Sequence, residues 1–211
     1  MADEEYDKIV NFINENKGKR KFKQTVELAI NFKGIDFSKQ DNRLNLDVIL
    51  PHGKGKVKKI ALFASERNLI DEAKKNDIEV ISSEDIDKIA GDQARLNSLL
   101  DYELIAQPNL MPVIAKNFGQ FLGPRGKMPR PLIGSMSMSG VANELNKRIV
   151  LKSKGRYLPT VHCVIGNEDM DAKNIYENMK EVIESIGKKI GQSHIKSVYI
   201  KLTMTKPLRL M

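Results

Sequence analysis

Two periods of hydrophobic residues take turns along this chain of 211 residues. Tyr6, Ile9, Phe12 and Ile13 recur at steps of three and four, which predicts an amphipathic helix that ends where Lys17-Gly18 interrupts the stripe. From Thr25 to Phe32 the period drops to two, with Val26, Leu28, Ile30 and Phe32 on one face and Thr25, Glu27, Ala29 and Asn31 on the other. Leu44, Leu46, Val48 and Leu50 repeat that period. Both runs are therefore expected in one sheet with a wet face, ended by Pro51-His52-Gly53-Lys54-Gly55.

The texture then changes. Ile60-Ala61-Leu62-Phe63-Ala64, Ile78-Glu79-Val80-Ile81 and Tyr102-Glu103-Leu104-Ile105-Ala106 are short apolar runs separated by helix-like stretches, Asn68 to Asn76 and Ser83 to Leu100, as in α/β folds. Between Pro108 and Gly140, the prolines at 112, 124, 129 and 131 and the glycines at 119, 123, 126 and 134 predict a long loop. Alternation returns at Val161, Cys163 and Ile165. A helix from about Asp171 to Lys189 follows, striped by Ile175, Met179, Val182, Ile183, Ile186 and Ile190, and then a last strand from Ser197 to Thr203. Because the closing third resumes the half-wet pattern of the opening one, the two are expected to form one discontinuous α+β domain, residues 1–52 with 149–211. An α/β domain of residues 53–148 is inserted in it, and the crossings at Gly53 and Arg148 are expected to act as a hinge.

Composition removes several function classes. A single cysteine, Cys163, excludes a disulfide framework and a cysteine-rich zinc site, and its place in the alternation makes it a small buried hydrophobe. No apolar run approaches the ~20 residues of a membrane helix, and the acidic opening Met1-Ala2-Asp3-Glu4-Glu5 is unlike a secretory leader. A cytoplasmic protein is expected. With 35 Lys and Arg against 27 Asp and Glu the formal charge is +8, which points to polyanionic partners. The excess is local: residues 116–148 and 149–211 each carry +5, and Lys17, Lys19, Arg20, Lys21 and Lys23 crowd together without an acid.

Enzymatic constellations fail one by one. Gly126-Lys127 is followed by Met128, where a phosphate-binding Walker loop needs Ser or Thr, and no dinucleotide fingerprint is present. His52, His162 and His194 lack metal-ligand spacing, so no catalytic residue, metal or cofactor is expected. Met136 and Met138, in a serine-rich stretch, are expected to pack loop against core. The wet sheet face is more informative. Period two turns Thr25 and Glu27 outward on one strand and Ser197, Tyr199, Lys201 and Thr203 outward on another. A carboxylate and hydroxyls among cations suit RNA, since the carboxylate can accept from a ribose 2′-hydroxyl or a base amino group.

Four ordered motifs carry a resemblance that spans nearly the whole chain: Phe22-Lys23-Gln24-Thr25-Val26-Glu27-Leu28, Leu50-Pro51-His52-Gly53-Lys54-Gly55-Lys56, Leu122-Gly123-Pro124-Arg125-Gly126-Lys127-Met128-Pro129 and Ser197-Val198-Tyr199-Ile200-Lys201-Leu202-Thr203-Met204. Together they resemble the signature of the large-subunit ribosomal protein L1 family, in its archaeal form. The resemblance implies a two-domain fold, α+β with an inserted Rossmann-like α/β domain, on the L1 stalk beside the tRNA exit site. It implies binding to large-subunit rRNA, contact with exit-site tRNA, and translational repression through a similar site in the protein's own operon mRNA, by a monomer with no membrane partner. Carried over by motif, the RNA-binding residues are Phe22, Lys23, Thr25, Glu27, Ser197, Thr203 and Met204, with Thr205 where bacterial relatives have glycine. Arg125, Lys127 and Arg130 of the inserted domain form a candidate second RNA contact. Two other readings compete. An L1-like ribosome-biogenesis protein usually carries long charged extensions that are absent here, and an α/β enzyme of phosphate ligands rests only on fold texture and Gly123 to Lys127.

Overall fold

The computed structural model describes residues 2–132, 137–153 and 158–211. Met136 and Gly134 lie outside them. The elements in chain order are α1 (Ala2–Asn16), β1 (Thr25–Phe32), β2 (Asn45–Ile49), β3 (Lys59–Phe63), α2 (Arg67–Lys75), β4 (Glu79–Ile81), α3 (Ser83–Gly91), α4 (Gln93–Ser98) and β5 (Tyr102–Ala106). They continue with α5 (Met111–Leu122), β6 (Arg130–Pro131), α6 (Met138–Lys147), β7 (Arg148–Lys152), β8 (Thr160–Asn167), α7 (Ala172–Ile190), β9 (Ile195–Leu202) and β10 (Leu208–Arg209). The chain divides into two compact units, one of residues 1–56 and 146–211, the other of residues 57–145.

In the terminal unit β1 lies between β8 and β9, antiparallel to both, in a sheet of order β10-β9-β1-β8. The inward residues of β1, Val26, Leu28, Ile30 and Phe32, are at most 4 % exposed. Burying each contributes about 1.5–3 kcal/mol. Ile9 and Ile13 of α1 and Ile175, Met179, Val182 and Ile186 of α7 share their core, and Tyr6 meets Tyr176 edge to face at 5.6 Å between ring centres. The 44–50 run does not join this sheet. β2 pairs instead with β7 in a separate two-stranded antiparallel ribbon, whose Val48 and Leu151 enter the same core. Period two shows which face of a strand is buried; it carries no information on the strand's edge partners.

The inserted unit is a parallel sheet of order β4-β3-β5-β6 covered on both faces. Ala61 and Phe63 pack under α3, α4 and α5, while Ile60 and Leu62 pack under α2 and α6. Two sequence expectations need correction here. The helix expected over Ser83 to Leu100 breaks at Asp92, whose carboxylate caps α4 by accepting from the amides of Ala94 and Arg95 at 2.9 and 3.3 Å. The stretch expected as a long loop contains α5, because Pro112 sits in the first helical turn, where its missing N–H is harmless. The buried stripe of Ile114, Phe118 and Leu122 outweighs Gly119.

The segment leading out of the terminal unit is firmly anchored. Asn178 of α7, fully buried, donates to the carbonyls of Gly53 and Ile165 at 2.8 Å each and accepts from the His52 amide at 3.1 Å. The β1–β8 register shifts at Val26/Glu27, and Ile165 is the extra residue of that bulge, so Asn178 satisfies a carbonyl that the ladder leaves over. Gly53 has φ 68° and is held by this clamp. Arg148 opens β7 and pairs bidentately with Asp47. Both residues expected at the crossings therefore lie inside the terminal unit, and the division falls at 56/57 and 145/146.

Asn178→Ala would leave two buried carbonyls without donors, so urea unfolding should show a loss of about 2–4 kcal/mol. Burial pushes the Cys163 thiol up to about 12. The folded protein should resist thiol reagents at pH 8 and react only as it unfolds, which a labelling time course in urea measures.

Candidate nucleic-acid interface

The basic loop begins where α1 stops. Gly18, at φ 71°, takes the left-handed turn that ends the helix, and the chain then runs exposed from Lys19 to Lys23 before β1 starts at Thr25. Because β9 is antiparallel to β1, the end of β9 arrives at the beginning of β1. The Thr25 amide donates to Thr203 Oγ1 at 3.0 Å, and the Thr203 amide donates back to the Thr25 carbonyl at 3.1 Å.

The turn after β9 is held by Thr205. Its Oγ1 accepts from the Leu202 amide at 2.9 Å and donates to the Leu202 carbonyl at 3.2 Å. This hydroxyl is committed to its own turn. Met204, in that turn, is 56 % exposed, and Phe22, three residues before β1, is 50 % exposed.

Gln24 organises this end, and motif reasoning passed it over. It is 1 % exposed, and its Nε2 donates to the Asn16 carbonyl at 3.3 Å and to Glu168 Oε2 at 3.2 Å. Its Oε1 accepts from the Met204 amide at 3.2 Å, and its carbonyl accepts from the Glu168 amide at 3.0 Å. One side chain thus joins the end of α1, the loop after β8 and the turn after β9. A signal was present in the sequence: Gln24 falls on the same parity as Val26, Leu28 and Ile30, so a polar residue continues the inward face of the strand.

The structure gathers Phe22, Lys23, Thr25, Thr203, Met204 and Thr205 around the start of β1 and the end of β9. Glu27 sits one outward step along β1, 3.8 Å from Lys201 across the ladder. Ser197, expected to face outward, lies apart from this end. It lies six residues before Thr203, roughly 20 Å along the strand, is only 5 % exposed, and bonds Asn31 Nδ2 through its hydroxyl at 3.0 Å. Alternation gave its parity, but the side-chain pair with Asn31 shields it.

Lys23 is engaged by Asp169 at 2.5 Å. That hydrogen bond holds the Asp169 carboxyl below its ordinary value and raises the Lys23 ammonium. In the inserted unit, Arg125 stacks 4.0 Å over the Phe121 ring and donates to the Phe121 carbonyl, Lys127 reaches the Tyr102 carbonyl at 3.1 Å, and Arg130 belongs to β6. Among the described residues no group of His, Cys, Asp or Glu could hold a metal ion, and no helix is long and apolar enough to cross a membrane.

Residues 13–206 match the model of the "Ribosomal protein L1p/L10e family". Relatives include the large ribosomal subunit protein uL1 of Thermococcus kodakarensis, 40 % identical over 206 residues that cover 93 % of this chain and 94 % of that protein. The uL1 of Thermoplasma acidophilum is 39 % identical over 201 residues, covering 93 % and 91 %. That of Archaeoglobus fulgidus is 36 % identical over 211 residues, covering 96 % and 97 %.

Asp169 competes with any phosphate for Lys23. Asp169→Asn should tighten binding to RNA by roughly two- to fivefold at low salt, and the gain should vanish at high salt. Fluorescence anisotropy with a labelled RNA across a salt series measures both effects.

Proposed function

The chain belongs to the ribosomal protein L1p/L10e family, in its archaeal form, and on that premise we propose that its terminal unit binds folded large-subunit rRNA through the start of β1 and the end of β9. The observation that carries this reading is the pairing of Thr25 with Thr203, which holds exposed Phe22 and Met204 on segments flanked by the cations of residues 17–23 and by Lys206. Polar groups on such a surface meet phosphate and 2′-hydroxyls, and the apolar pair meets sugar and base faces.

The family is one of ribosomal proteins and not of enzymes. The chemistry is recognition. The inserted unit, with Arg125, Lys127 and Arg130, is the element that would meet departing tRNA at the exit site while the terminal unit stays on rRNA. A similar RNA site in the protein's own operon mRNA would let the same surface repress translation.

The absence of tryptophan, with only 5 tyrosines and 7 phenylalanines, provides no platform for stacking a run of single-stranded bases. A folded stalk fragment of large-subunit rRNA should therefore bind far more tightly than the same length of unstructured RNA in a filter-binding assay. Equal affinities would refute the proposal. Residues 1–56 joined by a short linker to 146–211 should fold and keep most of that affinity. Loss of nearly all binding, with circular dichroism showing a folded protein, would move the main site to the inserted unit.

A further inference from the structure

Beside the Thr25–Thr203 pair, the last turn of α1, the basic loop and the turn after β9 enclose a groove of about 590 Å³. That is within the range of small-ligand sites. Its lining combines three kinds of group. Lys19, Arg20 and Lys206 supply cations, Phe12 and Met204 supply apolar surface, and Glu15 supplies the groove's one carboxylate. Among the described residues none of the three cations and neither oxygen of Glu15 is committed to an ion pair. The floor is rigid, because Gln24 ties Asn16 to the Met204 amide beneath it.

We propose that this groove receives one unpaired guanosine of the bound RNA, its phosphate on Lys19, Arg20 and Lys206, its base against Phe12 and Met204, and its Watson–Crick edge on Glu15. The inference rests on the reading that this end of the terminal unit binds RNA, and it specifies a ligand that the reading leaves open. The choice of base follows from donor geometry. A carboxylate only accepts, and it accepts best from two parallel donors. Guanine presents N1–H and the N2 amino group side by side. Adenine and cytosine set a single amino group next to an acceptor nitrogen, and uracil places one N–H between two carbonyls, so each would aim a lone pair at Glu15. A groove made only for phosphate would have no use for a carboxylate among its cations, since the like charge weakens phosphate binding.

The test titrates the full-length protein, labelled with ¹⁵N, with GMP, IMP, AMP and inorganic phosphate in turn. GMP should shift the amides of Glu15, Met204 and Lys206 and bind about tenfold more tightly than IMP, which lacks the N2 amino group, or AMP. Glu15→Gln, an exposed and nearly isosteric change, should erase the preference for GMP and leave the phosphate-driven shifts in place. Identical shifts and affinities for all four probes would overturn the proposal and leave a phosphate site without base recognition. So would a GMP preference that survives in Glu15→Gln. A parallel titration with the folded rRNA stalk fragment separates the two levels. If that fragment binds while the groove amides stay unmoved, the guanosine site is refuted and rRNA binding stands. If it fails to bind at all, the underlying reading falls as well.

Discussion

Strand β1 has no free edge. β8 occupies one side and β9 the other, and both come from the closing third of the chain, more than a hundred residues away. The opening segment can bury Val26, Leu28, Ile30 and Phe32 only after that distant segment has arrived. Ordering so long a loop costs little more than ordering a shorter one, because closure entropy grows only about 0.6 kcal/mol per doubling of length. The chain between can therefore fold as a unit of its own, with a parallel sheet covered on both faces. The same antiparallel pairing brings the start of β1 to the end of β9. Two motifs at opposite ends of the sequence become one surface through the pairing that builds the core.

That surface works by placement. Thr203 and Thr205 spend their hydrogen bonds on backbone, one joining β9 to β1 and the other closing the turn, and the exposed groups around them are free to meet a partner. Lys23 is the exception, since Asp169 already holds it. An RNA phosphate that takes Lys23 must displace a carboxylate, so the ion pair lowers the yield of that contact and penalises polyanions that cannot satisfy the rest of the surface. Such a site asks for shape and charge together, which suits a ribosomal protein better than a general nucleic-acid binder.

Much of this was legible in the sequence wherever a single period governed. The alternation of β1, the stripe of α7 and the changed texture from Ile60 onward correspond to the elements observed, within a residue or two at the ends. Legibility failed where partners decide. Nothing in Leu44 to Leu50 distinguishes an edge shared with β1 from one shared with β7, and nothing in the parity of Ser197 reveals that Asn31 bonds its hydroxyl. Pro112 and Gly119 suggest a loop by composition alone, although proline in a first turn is compatible with the Ile114, Phe118 and Leu122 stripe. Gln24 was legible by parity, but its meaning was not: only the fold shows that Asn16, Glu168 and Met204 converge on it.

Glu168 is the third partner in that convergence. It is 4 % exposed, and a carboxylate buried so deeply is costly unless it is paired or hydrogen-bonded. Its Oε2 accepts from Gln24 Nε2 at 3.2 Å. The Asn16 carbonyl can only accept and the Met204 amide can only donate, so the Gln24 amide points Nε2 at Asn16 and Glu168 and leaves Oε1 for Met204. Only this orientation satisfies all three segments, so the buried amide stabilises a single arrangement of the exposed rim. The exposed end of the sheet is set by side chains buried beneath it.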